Sequence, residues 1–224
     1  MSGDQRAEVA WNEQDVPVST RFDDPYFSLE GGLAESRHTF LAGNGLPARF
    51  EPGFRVAELG FGTGLNMLAT VLAFEDAGAP GPLHFTSFEA FPMNAGEVGR
   101  ALAAFPDASA VAGRFLDAWR QGARRFALGE MRVEVIVGDA RETLARWDGL
   151  ADAWYLDGFS PAKNPELWGE GLMSAVGGHT APGGTFATYS AAGFVRRGLE
   201  AAGFAVERRP GFGRKRHMSV GVKE

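Results

Sequence analysis

From residue 54 onward the hydrophobic pattern of the chain switches period in a regular way. Short apolar runs that suit buried strands alternate with stretches whose apolar positions recur at helical spacing. The first run covers residues 54–59, with a helical stretch over 65–77. The second covers 83–88, with helical patterns over 93–104 and 109–121. A third strand is predicted at 133–137 with a short helix over 140–147, and a fourth at 153–156 with a helix after Pro165. Proline suits a first helical turn because the amide hydrogen it lacks has no intrahelical partner there. A fifth strand is predicted at 184–189, followed by a helix over 191–202. Residues 204–206 and 217–222 read as a closing pair, with no long helix between them, so an antiparallel hairpin is predicted at one sheet edge.

Strands alternating with helices predict an α/β architecture, a mostly parallel sheet with helices on both faces. The count is seven strands, with an antiparallel strand at the edge. Residues 1–53 fit no strand–helix unit. They read as an N-terminal extension rich in aromatics (Trp11, Phe22, Tyr26, Phe27) that caps the cleft, leaving 54–224 as the main domain. No internal repeat or low-complexity tract interrupts this order.

Composition narrows the chemistry. At 224 residues the chain can bury a core without staples. Cysteine is absent, which excludes disulfides, a catalytic thiolate and sulfur-ligated zinc. The four histidines (His38, His84, His179, His217) form no HxxxH pair, so no metal is expected. No apolar run reaches 18 residues, and the N-terminus MSGDQRAEVAW lacks the apolar segment of a secretory signal, so the expected compartment is the cytoplasm. The net charge of −6 argues against a general nucleic-acid coat protein. The charge is uneven, however. Residues 1–60 hold ten acidic and five basic side chains, whereas residues 196–224 hold eight basic and three acidic ones, a local +5. Two readings stand for that segment: a solvated tail, or a patch that contacts phosphate.

Ligands of such sheets bind outside the carboxyl ends of the strands, so the residues just after each strand are the candidates. After the first strand comes Glu58-Leu-Gly60-Phe61-Gly62-Thr-Gly64. Glycines at alternate positions let the backbone turn tightly and approach a ligand. The pattern is GxGxG, not the GxGxxG of dinucleotide folds, and no Lys-Ser/Thr follows as in a P-loop. Glu58 could meet a cationic amino-acid moiety. After the second strand, Glu89 could accept both hydroxyls of a ribose. After the third, Asp139 could contact an adenine amine or cap the next helix, and both readings stand. After the fourth comes Asp157-Gly-Phe159-Ser-Pro161-Ala-Lys163-Asn164, the expected place of the reacting group. Together these ends describe a site for a nucleoside bearing an amino acid, as S-adenosylmethionine is held in class I methyltransferases of Rossmann-like fold.

Several longer strings are then familiar: FDDPYFS (22–28), GLAESRHTFLAGNGL (32–46), AELGFGTGLNML (57–68), FTSFEAFP (85–92), WYLDGFSPAKNPELW (154–168), APGGTFATYSAAGFVRRGLEAAGF (181–204) and GFGRKRHM (211–218). On these the chain resembles the methyltransferase domains of the bifunctional tRNA 5-methylaminomethyl-2-thiouridine biosynthesis proteins (MnmC family). The resemblance implies S-adenosylmethionine-dependent methylation of the 5-aminomethyl group of the wobble uridine in tRNA. It places Phe61 and Asn66 with Glu58, Gly60, Gly62, Gly64, Glu89, Asp139 and Asp157 at the cofactor. Asp157 is taken as the catalytic group that orients the amine. Phe159 and Pro161 are read as wall, Lys163 and Asn164 either as holding the uridine or a phosphate or as a solvated lysine and a turn cap, and Arg196, Arg197, Arg214, Lys215 and Arg216 as gripping the anticodon stem-loop, with sheet packing the alternative for some of the arginines. His38, Phe40, Asn44 and Trp168 are read as structural first. No second glycine-rich fingerprint follows, so FAD is not expected, and a separate FAD-dependent oxidase is the candidate source of the amine. A methyltransferase for a small-molecule amine and a non-catalytic partner of an oxidase remain as alternatives, and a nicotinamide dehydrogenase is disfavoured by the missing GxGxxG.

Overall fold

The structure is a computed structural model that describes residues 6–28 and 31–224. The first five residues of the polar N-terminus lie outside the described part. Eight strands form the main sheet: β4 (Arg55–Leu59), β5 (Leu83–Glu89), β6 (Arg125–Leu128), β7 (Met131–Val137), β8 (Ala151–Leu156), β9 (Thr180–Thr188), β10 (Phe204–Pro210) and β11 (His217–Lys223). Their order is β10-β11-β9-β8-β4-β5-β7-β6. The five strands from β9 to β7 in that order run parallel to their neighbours. β4 and β8 are buried almost throughout, as continuous apolar runs in a doubly covered parallel sheet should be.

Two details depart from the seven-strand expectation. β6 is an extra antiparallel strand that pairs with β7. It is short and mostly solvent-facing, so its apolar signal is too weak to separate from the preceding helix. The antiparallel strand expected at the edge, β11, sits one place in from it, bonded to β9 on one side and β10 on the other. The fifth strand also starts at Thr180, earlier than its apolar run indicates.

Before β4, three short strands, β1 (Val9–Trp11), β2 (Pro17–Ser19) and β3 (Asp24–Pro25), make a separate antiparallel sheet. The short helix α1 (Gly32–Ser36) follows and runs into a wider turn over Arg37–Leu41. The remaining helices are α2 (Leu65–Asp76), α3 (Ala95–Leu102), α4 (Ser109–Arg120), α5 (Ala140–Thr143), α6 (Glu170–Gly178) and α7 (Gly193–Ala201). α3 starts on a capping box in which Asn94 accepts from the Glu97 amide and Glu97 accepts from the Asn94 amide. The helix expected over 140–147 is shorter, with its second half tightened to a 3₁₀ turn over Leu144–Arg146. Two apolar clusters cover the two sheet faces. One joins α2, α3 and α4 with N-terminal residues such as Phe40 and Leu41, and the other joins α6 and α7 around Trp154 and Phe186.

Candidate cofactor cleft and active site

A cleft of about 2100 Å³ opens at the carboxyl ends of β4, β5, β7 and β8. The strand order reverses between β4 and β8, which leaves a crevice there because the flanking helices depart to opposite faces. Sites for drug-sized ligands run to roughly 1,000 Å³, so a nucleoside leaves room for part of a second molecule.

The floor is the loop after β4. Gly60 has φ +87°, and a Cβ there would lie 2.2 Å from the Asp157 carbonyl oxygen. Only glycine lets the ends of β4 and β8 come this close. Gly62 turns its amide outward to donate to Glu89 Oε2 at 2.9 Å. Glu89 Oε1 accepts from the Phe91 amide at 2.8 Å. Glu89 is therefore pinned at the cleft by the backbone amides around it, those of Phe61 and Ala90 included. Burial pushes its pKa up, opposed by the backbone donors. Gly64 is left-handed where α2 begins. The Phe61 ring turns into the core, against Phe115 and Trp119.

Beneath the loop lies a buried polar chain. Glu58 is fully buried and does not line the cleft, so the expectation that it faces the ligand directly is not met. Its Oε1 accepts from Asn66 Nδ2 at 2.9 Å and its Oε2 from Ser87 Oγ at 2.7 Å. The same Asn66 nitrogen donates to Asp157 Oδ2 at 2.7 Å, and Asn66 Oδ1 accepts from Ser36 Oγ at 2.6 Å. Asn66 thus spends its amide on protein partners and positions Asp157. Burial raises the Glu58 pKa well above the usual carboxylate range, with Asp157 and Glu89 adding to the rise against the Ser87 and Asn66 bonds. Asp157 is pushed up to about 6 by burial, against the Asn66 bond and the charge of Lys215.

The wall beyond Asp157 is shared with the N-terminal segment. The Phe159 ring stacks on Phe22 at 4.8 Å and meets Tyr26 edge-on at 5.1 Å. The Ser160 amide donates to Asp24 Oδ2 at 2.9 Å. Lys163 donates to the Asp23 carbonyl and pairs with the Asp23 carboxylate at 3.2 Å. Lys163, expected to hold the uridine or a phosphate, lines the cleft and clasps this segment through Asp23 and Asp24. Pro161 shapes the turn without lining the cleft, whereas Asn164 lines it.

On the opposite side Tyr189 donates its hydroxyl to the Gly158 carbonyl, and Lys215 sits over the Tyr189 ring, 4.2 Å from its centroid. Lys215 also pairs with Glu35 of α1. All three line the cleft. Burial raises the Tyr189 hydroxyl pKa strongly, and Asp157 adds to it.

The other candidates divide. Asp139 lines the cleft and caps α5 through the Arg141 amide at 2.9 Å, and the Arg141 side chain grips both its oxygens, holding its pKa down. Trp168 is buried, with its indole N–H on the Phe159 carbonyl at 2.9 Å. His38 bonds the Pro210 carbonyl at 3.1 Å. Asn44 is buried and joins the Phe40 carbonyl to Thr185, and Phe40 packs on Tyr155. Arg196 and Arg197 stand on α7 away from the cleft lining, and Arg214 and Arg216 are exposed in the turn that carries Lys215. Sequence reasoning missed Tyr189, Glu35, Ser36 and Ser87. Tyr189 directly follows the fifth strand, which ends at Thr188 and not at 189 as its pattern indicates, so the strand-end rule applied to the expected bounds passes over it. The other three act through side-chain bonds from distant elements, which no spacing reveals. Among the described residues no His/Asp/Glu group could hold a metal, and no helix is long and apolar enough to cross a membrane.

This sheet order, with its glycine loop and strand-end carboxylates, defines a class I methyltransferase architecture. The donor set fits S-adenosylmethionine: Gly60 has no room for a side chain, and the Glu89 and Asp157 carboxylates both line the cleft beside the glycine loop. Residues 106–224 match the S-adenosyl-L-methionine-dependent methyltransferase family, and the chain belongs to it. The tRNA 5-methylaminomethyl-2-thiouridine biosynthesis bifunctional protein MnmC of Aeromonas hydrophila is 45% identical over 97% of this chain and 35% of its own length. The protein of that name from Caulobacter vibrioides is 47% identical over 93% of this chain and 36% of its own length. The chain thus spans about a third of the length of these curated relatives. The crystal structure of MNMC2 from Aquifex aeolicus superposes with a TM-score of 0.78 and 25% identity, covering 99% of this chain and 70% of that one.

Proposed function

We propose that the chain methylates the primary amine of 5-aminomethyl(-2-thio)uridine at the wobble position of tRNA, giving the 5-methylaminomethyl form. The observation that carries this reading is Asp157: a partly buried carboxylate at the switch point of the sheet, in the DGFSPAKNP string, with space in front of it for a second substrate. The identity to the MnmC proteins over nearly the whole chain supports the choice of acceptor. The amine would reach the site from a separate FAD-dependent oxidase, and tRNA as substrate would place the work in the cytoplasm. Residues before 54 would form a cap on a methyltransferase domain of residues 54–224, since Phe22 and Tyr26 close the wall over Phe159.

Bound S-adenosylmethionine supplies an electrophilic methyl group. Glu89 would hold the ribose hydroxyls and the Gly60–Gly64 backbone would pass close beneath. Asp139, held by the Arg141 amide and side chain, would stand beside the adenine just after the end of β7. Glu58 and Asn66 would act one step removed, by fixing Asp157. With a pKa of about 6, Asp157 is ionised at neutral pH. It accepts a hydrogen bond from the attacking amine, which aims the lone pair, and it stabilises the positive charge that grows on nitrogen as the C–N bond forms. An alkylammonium has a pKa of about 10.4, so the proton finally leaves to solvent rather than resting on Asp157. Phe159 and Asn164 would bound the uracil, and Arg196, Arg197, Arg214 and Arg216 would meet phosphates of the stem-loop, whose splayed bases are the usual target of specific reading.

The test is to incubate the protein with S-adenosylmethionine and tRNA carrying 5-aminomethyluridine, digest to nucleosides, and weigh them. One added methyl on that nucleoside is the expected product. No transfer to this tRNA, with transfer to a free small amine, would assign the other substrate class.

A further inference from the structure

Resting on the methyltransferase reading above, we propose that Lys215, seated on Tyr189 and held by Glu35, makes the cleft select the uncharged form of the substrate amine. The cleft is rich in carboxylates. Asp157 follows β8, Glu89 ends β5, Asp24 receives the Ser160 amide from the N-terminal segment, and Glu58 lies beneath on β4. Such a surface attracts an ammonium, which has no lone pair and cannot form the C–N bond. Binding the wrong protonation state tightly would raise its pKa further. A cation whose charge reaches Asp157 opposes that bias.

Lys215 is built for this position. It comes from the turn between β10 and β11, yet it reaches into the cleft, where its ammonium rests on the Tyr189 ring and pairs with Glu35. Tyr189 is itself tied to the Gly158 carbonyl, the residue after Asp157. The seat of the cation is therefore locked to the segment that carries the reacting carboxylate, and its charge is felt at Asp157. Lys215 is itself exposed at 45% of its side chain, as Arg214 and Arg216 beside it are exposed, but it alone of the three lines the cleft, and His38, on the neighbouring turn, is occupied with the Pro210 carbonyl. Among the other cations that line the cleft, Lys163 pairs with Asp23 and Asp24, Arg141 pairs with Asp139 and Glu166, and Arg21 lies over the Phe91 ring, 4.6 Å from its centroid. The fixed ring seat is what a phosphate-gripping lysine, which works as a mobile surface charge, would not need.

The experiment is the pH dependence of single-turnover methylation at saturating tRNA and cofactor, for wild type, Lys215→Met, Lys215→Arg and Glu35→Gln, with cofactor binding measured to establish that each is folded. In Lys215→Met the limb that reports the bound amine moves up by roughly one to two pH units. Its rate at pH 7.5 then falls about tenfold for each pH unit that the limb moves, and the deficit closes as pH rises. Lys215→Arg keeps the wild-type profile, and Glu35→Gln, which leaves the cation uncompensated, moves the limb down. A deficit in Lys215→Met that is the same at every pH overturns the inference. So does a loss confined to the KM for tRNA with the salt slope reduced by about one, the mark of a phosphate contact. Wild type inactive on aminomethyl tRNA at every pH overturns the function reading and this inference with it, whereas an active wild type with a parallel Lys215→Met profile overturns the inference alone.

Discussion

Asn66 donates to Asp157 at 2.7 Å and, from the same amide nitrogen, to Glu58 at 2.9 Å. One side chain thereby joins two carboxylates that would otherwise repel. Their environments separate them: the fully buried Glu58 is driven well above the usual range, and the cleft-lining Asp157 only to about 6. Asp157, the member of the pair that lines the cleft, is the one at the wall where the chemistry is proposed. Separating two acids by burial in this way assigns them different tasks.

Replacing Asn66 tests that division. In Asn66→Ala both carboxylates lose a donor, and Ser36 loses its acceptor. Burying unsatisfied groups costs about 1–3 kcal/mol each, so the melting temperature should drop. With the donor gone, the Asp157 pKa rises, and the acid limb of kcat should move to higher pH. An Asn66→Ala enzyme with unchanged stability and pH profile would show that the amide is not what holds the pair.

Asp157→Asn separates chemistry from stability. Asparagine keeps an oxygen for the Asn66 bond but removes the charge. Methyl transfer should fall by about 10²–10⁴, the usual contribution of a positioned acid–base group, with cofactor affinity little changed. Stability should move the other way. The Asp157 pKa is raised on folding, from 3.8 to about 6, so its ionised form penalises the fold fully above about pH 6. That penalty fades as pH falls from 6 towards 4. The variant should therefore be more stable than wild type by about 1–3 kcal/mol at pH 8, and no more stable at pH 4. Urea unfolding at the two pH values measures this.

How far the chain is legible without coordinates differs between its parts. The parallel core is legible because β4 and β8 are largely apolar runs, β5 and β7 alternate apolar with polar positions, and the second half of β9 is apolar, patterns that burial imposes. β6 is not, because an edge strand with one buried residue in four carries no periodic signal. Among the site residues, Gly60, Glu89 and Asp157 follow strands, and topology alone brings strand ends together. The same rule places Glu58 at the cleft, but its position one residue before the end of β4 points it under the loop, toward Ser87 on the neighbouring strand. Lys163 and Lys215 look alike in sequence. Only the fold reveals that one clasps the N-terminal acids and the other sits on an aromatic ring in the cleft.

Glu89→Gln should weaken cofactor binding more than turnover. Its oxygens already accept from Gly62 and Phe91. An amide group would set an NH₂ against one of these donors and lose an acceptor for the ribose. Removing one partner from a charged hydrogen bond costs about 1.5–3 kcal/mol, so the dissociation constant for S-adenosylmethionine should rise roughly 10- to 150-fold, read by calorimetry. Turnover at saturating cofactor should stay within a few-fold of wild type. A large loss of kcat with unchanged cofactor affinity would move Glu89 out of the binding site.

Lys163 and Asp24 decide whether the clasp or a phosphate contact explains the lysine. Lys163 is partly exposed and its partner Asp23 almost fully so, at 38% and 93% of the side chain. Pairs of that exposure contribute little, about 0–1 kcal/mol, so Lys163→Ala should barely change the melting temperature. As a clasp, the lysine should leave the salt dependence of tRNA binding unchanged in that variant, where a phosphate contact would lower the slope by about one. Asp24→Ala should do more damage. It removes the acceptor of the Ser160 amide as well as an ion partner of Lys163, and so loosens the Phe22 and Tyr26 rings that hold Phe159. The expected result is a rise in KM for tRNA with cofactor affinity preserved. Equal effects from the two substitutions would mean that the amide bond to Asp24 does not set the wall.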